Sequence, residues 1–369
     1  MGEDLLDFEA RFLVRSRGCE GAIDLASARR NAAVFIDNLP IADVGEASER
    51  QRWVSTWIRT GDRYSSLADL GVRSGAVERA REAWLCAMTA FEVAKRIVDP
   101  CNPDHLHIVA KMQACVHKFG LYHARSIERV RIACCDQPEL VTYYLPHDSP
   151  ERHAPSIICI SNQGESISEF LGKVLPAAVG RGMSLLVVDG SELSDHPTFK
   201  SDILLGCCVD YLSDRSDVDR CRIGVYGEGM AAVEATSLAS SDRRIAAAVC
   251  DGGLWQFAWT RSSIDCMSGL AGELCDEEAS SARRMRLVRR MRCPVLVVSG
   301  PRESVDLSEA ISLQADCKAA GIDMSVVVSR TVETPLGGIE NFLTADEFIF
   351  GWLERKLKAC RPSLSLRYL

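Results

Sequence analysis

The spacing of apolar residues divides the chain into two parts. In the first, apolar positions recur every three to four residues. Glu78 to Val98 places Trp84, Leu85, Met88, Phe91, Val93 and Ile97 on a helical face, and Pro100 ends the run. His105 to Arg125 predicts a second amphipathic helix. Trp53 and Trp57, one turn apart, predict a further packed face, as core or as pocket wall. From Ile127 the period shortens. Ile127 to Ala133 alternates as a strand, and Leu140 to Leu145 is a second. Short apolar runs then alternate with helical patterns. The runs are Ser156 to Ser161, Ser184 to Val188, Arg222 to Tyr226, Ile245 to Val249, Pro294 to Val298 and Met324 to Val328. The helices between or after them are Ser166 to Val179, Phe199 to Leu212, Met230 to Leu238, Leu307 to Ala319 and Ala345 to Leu357. Continuous apolar strands joined through helices predict an α/β fold with a mostly parallel sheet covered on both faces. The organisation expected is an N-terminal helical cap over 1–127 and a core over 128–369. The stretch 255–292 is too long for a simple connection and is expected to add helices to the cap.

Composition narrows the function classes. The 369 residues are 47% hydrophobic and 25% charged, with a net charge of −8, so no basic face for nucleic acid is expected. The Arg283–Arg292 run reads as a solvated helix face. No apolar run reaches the roughly 18 residues of a membrane span. The start, Met-Gly-Glu-Asp-Leu-Leu-Asp, has no apolar leader region, and Leu6 stands where a myristoylation signal needs Ser or Thr. The 16 cysteines include no C-x-x-C pair, and the doublets Cys134-Cys135 and Cys207-Cys208 suit disulfides poorly. Reduced cysteines in a cytoplasmic protein are expected. His105 and His107 are the only close histidine pair, so neither a metal nor a cofactor is expected.

The candidate chemistry centres on Arg222-Ile-Gly-Val-Tyr-Gly227-Glu228-Gly229-Met230-Ala231. A short apolar strand runs into a turn of small residues and then a helix, which is the layout of a nucleophile elbow, G-x-S-x-G. The serine position holds Gly229, and the final glycine is Ala231. With Asp217 to Gly229, Arg244 to Val249 and Gly182 to Gly190, this stretch resembles the α/β-hydrolases. More narrowly it resembles the group with an N-terminal helical cap that includes FrsA-like esterases, Ayg1-type hydrolyases and pseudooxynicotine hydrolases. The resemblance spans about Ala80 to Leu357, and its match to the cap is weaker. It implies an α/β-hydrolase fold, ester or carbon–carbon bond cleavage by Ser, Asp and His in that order, and it leans towards a homodimer.

That chemistry needs a base to take the serine proton and a carboxylate to orient the base. The resemblance puts Glu303 at the acid position, with Asp306 as alternative, and Asn341 at the histidine position. All seven histidines fall between 105 and 196, so none follows the elbow and a triad in this order is impossible. The oxyanion region is better kept. Its donors would be the Met230 N–H and the loop Ser161-Asn162-Gln163-Gly164-Glu165, at the end of a helix that adds partial positive charge. Glu228, beside the missing serine, is a further catalytic candidate. His117, Tyr122 and His123 on the second cap helix could project into the pocket or serve packing. Three readings follow. The first is a non-hydrolytic enzyme performing cyclisation, cycloaddition, elimination or rearrangement on a polyketide-like or other hydrophobic carbonyl-containing metabolite. The second is a ligand-binding or scaffold protein without turnover. The third is a hydrolase or lyase with a substitute nucleophile at Cys159, Ser161 or Cys250.

Overall fold

The computed structural model describes residues 24–39, 47–123, 127–134, 139–148, 153–194, 201–252, 285, 288–299, 307–329, 331–334 and 337–359. Four helices come first: α1 (Leu25–Asp37), α2 (Ala47–Arg73), α3 (Val77–Ile97) and α4 (Pro103–Tyr122). Strands β1 (Glu128–Ile132), β2 (Leu140–Leu145) and β3 (Ala154–Ile160) follow. Then come α5 (Ile167–Ala178), β4 (Ser184–Val188), the short α6 (Gly190–Ser194), α7 (Ser201–Asp214) and β5 (Val218–Glu228). After these run α8 (Ala231–Ser241), β6 (Ile245–Asp251), β7 (Val295–Ser299), α9 (Leu307–Ala319) and β8 (Met324–Val328). A hairpin of β9 (Thr331–Thr334) and β10 (Gly337–Glu340) leads into α10 (Phe342–Ala359).

The eight-stranded sheet has the order β1-β2-β4-β3-β5-β6-β7-β8. The pairs β1–β2 and β2–β4 are antiparallel, and every pair from β4 through β8 is parallel. Alternation of side chains divides the core in two. Ile157, Cys159, Tyr226, Val249 and Val298 join the helices α5, α10 and the N-terminal helices in one buried cluster. Ile158, Ile160, Val225, Cys250 and Val297 join α7, α8 and α9 in another. The period of two thus covers both sheet faces, as the continuous apolar runs require.

The N-terminal helices form a second layer over α5. A Cβ on Gly172 of α5 would lie 2.5 Å from Met112 of α4, and one on Gly61 of α2 would lie 2.4 Å from the Phe91 ring of α3. Glycine lets both helix pairs approach more closely than any side chain would permit. A capping box, Ser166 with Glu169, starts α5. Sandwiched between sheet and cap, α5 is buried on nearly all sides, Lys173 included.

The helix α3 links the two ends of the sheet. Arg96, near its C-terminus, lies beside Glu228 at the end of β5. Arg81, near its start, pairs with Asp148, which follows β2. Leu145 of β2 faces Leu185 at the start of β4, so Asp148 sits at the edge where the parallel strands begin. Fifteen helical residues separate the arginines by about 22 Å. Among the described residues no helix is long and apolar enough to cross a membrane. Most of 255–292 lies outside the described residues.

Candidate active site

The end of β5 folds into the expected strand-turn-helix. Gly229 has φ of +57°, the left-handed region in which a side chain is strained. Its N–H donates to the carbonyl of Asp251 at 2.7 Å, and its carbonyl accepts from Ala232 N at 3.0 Å. A Cβ on Gly227 would lie 2.2 Å from the Ala231 carbonyl oxygen, so the turn is too tight there for any residue but glycine. The turn backbone thus has the strand-turn-helix shape expected from the sequence.

A side chain from another loop occupies the space over Gly229. A Cβ built on Gly229 would lie 2.8 Å from Nδ2 of Asn162, which follows β3. Asn162 Oδ1 accepts from Gln163 N at 3.1 Å, and Glu165 N donates to the Asn162 carbonyl at 3.2 Å. Gly164 takes φ of +79° to close this turn. The loop thus has a defined shape that turns the amide over the elbow. Neither Asn162 Nδ2 nor Met230 N–H has an acceptor among the described residues. Gln163 and Gly164 are exposed, and Met230 is partly buried at the start of α8.

The nucleophile alternatives are sequestered. Cys159 and Cys250 are fully buried. Burial pushes the Cys250 thiol up to about 12 and Cys159 further still, the nearby Lys173 charge only partly opposing it. Ser161 Oγ is buried and accepts from Gly190 N at 3.2 Å. Among the described residues neither the thiols nor this hydroxyl has the activating base that nucleophilic attack needs.

Glu228 extends from β5 on the same face as Tyr226, towards the cap. Its carboxylate accepts from Lys173 Nζ, and Arg96 Nη2 lies 3.9 Å away. Tyr226 Oη lies 3.5 Å from Glu228 Oε2 and 3.2 Å from Asp251 Oδ2. Asp251 ends β6 directly opposite Glu228. Burial, reinforced by the charge of Glu340 and opposed by Lys173, raises the Asp251 carboxyl to about 7. Burial likewise raises Asp346 of α10 to about 6, although Lys173, Arg29 and Arg96 oppose it. Glu228 thus ion pairs with the buried Lys173 ammonium, whose charge also bears on Asp251 and Asp346. Sequence reading singled out only Glu228 among them. The signals for Lys173 and Asp251 were a lone lysine in the apolar helix FLGKVLPAA and an aspartate closing the apolar strand IAAAVCD.

The remaining predicted residues lie elsewhere or have other partners. Asn341 is buried, and its Nδ2 donates to Asp37 Oδ1 at 2.9 Å and to the Ala33 carbonyl at 3.0 Å, both in α1. Its Oδ1 accepts from Thr344 N at 3.4 Å, capping α10. The Asn341 amide therefore fastens the cap to the core. Asn341→Ala should cost about 1–2 kcal/mol through the lost cap and unsatisfied partners, measured by denaturant unfolding. Tyr122 and His123, read from the sequence as substrate-binding candidates, lie at the end of α4, which runs away from the elbow. His123 Nε2 lies 3.3 Å from Asp148 at the opposite sheet edge, and Tyr122 stacks on Trp84 at 5.5 Å. Burial would raise Asp148, but the hydrogen bond and charge of His123, then Arg81, hold it down to about 2. His117 is exposed. Glu303 and Asp306 lie outside the described residues. No group of three potential metal ligands occurs among the described residues.

No protein-family model matches the chain, and no curated protein matches it by sequence. Solved structures do match. The structure of 2,6-dihydroxy-pseudo-oxynicotine hydrolase aligns with a TM-score of 0.54 at 18% identity, covering 89% of this chain and 96% of that one. Pyrococcus horikoshii acylaminoacyl peptidase aligns at 0.47 and 14% identity, over 63% of this chain and 42% of the peptidase. Est1E from Butyrivibrio proteoclasticus aligns at 0.45 and 18% identity, over 63% of this chain and 98% of the neighbour. At a TM-score of 0.54, the chain shares the α/β-hydrolase fold of the pseudo-oxynicotine hydrolase structure.

Proposed function

We propose that this chain, on its α/β-hydrolase scaffold, is a non-hydrolytic enzyme that binds and polarises a carbonyl group of a small hydrophobic metabolite, polyketide-like in character. The observation that carries the reading is the Asn162 amide standing over Gly229, where a hydrolase of this fold presents its nucleophile. A nucleophile has been exchanged for a hydrogen-bond donor. Asn162 Nδ2 and Met230 N–H together supply two donors for one substrate oxygen, assisted by the N-terminus of α8. Donors of this kind stabilise charge developing on oxygen without forming a covalent bond. The chemistry that suits them is cyclisation, cycloaddition, elimination or rearrangement, with the cap excluding water. The neighbour named as a 2,6-dihydroxy-pseudo-oxynicotine hydrolase supports a small-molecule substrate.

Mass balance tests the reading. The protein is incubated with a library of aromatic ketones and polyketides, and products are read by mass spectrometry. Isomeric products, or products of elimination, that disappear with Asn162→Ala are expected. Products carrying one added water would overturn it, and tight binding without turnover would make the chain a ligand-binding protein instead. A second prediction concerns the elbow. Gly229→Ser should give no p-nitrophenyl acetate hydrolysis above buffer, because the new side chain meets Asn162 and the sequence has no histidine after 196. Strong esterase activity in that single variant would show that a base had been overlooked.

A further inference from the structure

One feature outside the oxygen-binding donors has the makings of proton-transfer machinery. Asp251 is joined to the elbow twice. Its carbonyl accepts from Gly229 N at 2.7 Å, and its strand position faces Glu228. Its side chain reaches Tyr226 Oη at 3.2 Å, and the same hydroxyl reaches Glu228 at 3.5 Å. Glu228 is in turn held by Lys173. Tyr226 Oη is the donor between the two carboxylates, to Asp251 at 3.2 Å or to Glu228 at 3.5 Å, and Lys173 anchors Glu228. The Tyr226 phenol is fully buried, and burial and the charge of Asp251 raise it well above its ordinary value, so it passes hydrogen bonds without ionising.

We infer that Asp251 is the general acid–base residue of this site, exchanging a proton with the carbon next to a carbonyl whose oxygen is held by Asn162 and Met230. The inference rests on the reading of those two donors given above. In the forward step the Asp251 carboxylate takes the proton. The C–H electron pair becomes the C=C bond of an enolate, and the C=O pair moves to the oxygen under the donors. In the return step the enolate carbon takes a proton from the Asp251 carboxyl. No oxidant, reductant or second substrate is consumed, and the net product is an isomer or a solvent-exchanged ketone.

The groups around Asp251 fit this role. Lys173 of α5, Glu228 and Tyr226 of β5, Glu340 of β10 and Asp346 of α10 all bear on it. Arg96 of α3 and Arg29 of α1 bear on Asp346 behind them. Burial and two like charges destabilise the Asp251 carboxylate, and Lys173 limits the effect, leaving its titration near neutrality, where a group can both take and return a proton. Asp346 Oδ2 is buried and has no hydrogen-bond partner among the described residues. Glu228 is a positioning residue, holding Tyr226 and Lys173 in line.

The test uses the full chain and acetophenone in D₂O near neutral pD, following loss of the methyl proton signal by NMR. The wild type should exchange these protons faster than buffer. Asp251→Asn should slow the exchange by about a hundredfold, the scale of general acid–base catalysis. Circular dichroism checks that the variant is folded. Tyr226→Phe should shift the pH–rate profile while retaining exchange, which a merely structural role would not do. Exchange at buffer rate in the wild type, or a folded Asp251→Asn that exchanges like the wild type, overturns the inference. Loss of exchange in Asn162→Ala with no loss in Asp251→Asn would leave the polarising donors standing and remove Asp251 alone. The reverse pattern would keep Asp251 as the acid–base residue and remove the donors.

Discussion

Lys173→Met should destabilise the protein by about 3 kcal/mol, read as a lower denaturant midpoint with an unchanged slope. Lys173 is 3% exposed, and its ammonium ion pairs with Glu228 at the centre of α5. Methionine keeps the stem and most of the volume, so the loss reports charge and not packing. Removing one partner of a buried pair leaves the other uncompensated, which typically costs about 3–5 kcal/mol. The lower end applies because the Glu228 side chain is 25% exposed and Arg96 lies 3.9 Å away. Adding Glu228→Gln to Lys173→Met should recover much of the loss, since no unpaired carboxylate then remains at that position. Additive effects of the two substitutions would show that the pair is not coupled. Lys173→Met should also make Asp251 and Asp346 harder to ionise, because Lys173 is the cation that most lowers each of them.

The same lysine shows where sequence reading stops. The strands were legible because both faces of the sheet are buried, so each parallel strand is an unbroken apolar run. β5 extended beyond the predicted run, starting at Val218 among polar residues that pair at its entry. The elbow was legible because Gly227 and Gly229 answer strict backbone demands, a 2.2 Å approach and a positive φ. The occupant of the space above Gly229 was not. Asn162 marks a loop in the sequence, and its amide reaches the elbow only through the turn closed by Gly164. Lys173 and Asp251 each read as an isolated polar residue in an apolar segment. Their meeting depends on α5 lying between sheet and cap, a tertiary fact with no local period. Asn341 was placed correctly before the last helix. Its partners Ala33 and Asp37 are 308 and 304 residues away, and no local pattern connects them.

Stability should fall as pH rises from about 4 to 7, and Asp251→Asn should flatten that slope. The Asp251 carboxyl ionises near its ordinary value of 3.8 when unfolded but only at about 7 when folded. Within that window the folded chain holds one proton more than the unfolded chain at this site, so raising pH favours unfolding. Below about 4 both states are protonated, and above about 7 both are ionised, so the cost is fully present and constant. Asp346 adds the same sign between about 4 and 6. Asp148 acts oppositely, but its folded value of about 2 confines its effect below pH 4. The expected loss across the window is of the order of a few kcal/mol, since each unit of displacement corresponds to about 1.4 kcal/mol. Urea unfolding at pH 5 and pH 8 should therefore show the wild type weaker at pH 8, with Asp251→Asn less sensitive and more stable there. An identical slope in both proteins would mean that Asp251 ionises in the folded state as it does in water. A carboxyl kept at this cost beside Gly229 fits the acid–base role inferred for it, since perturbed carboxyls cluster at functional sites.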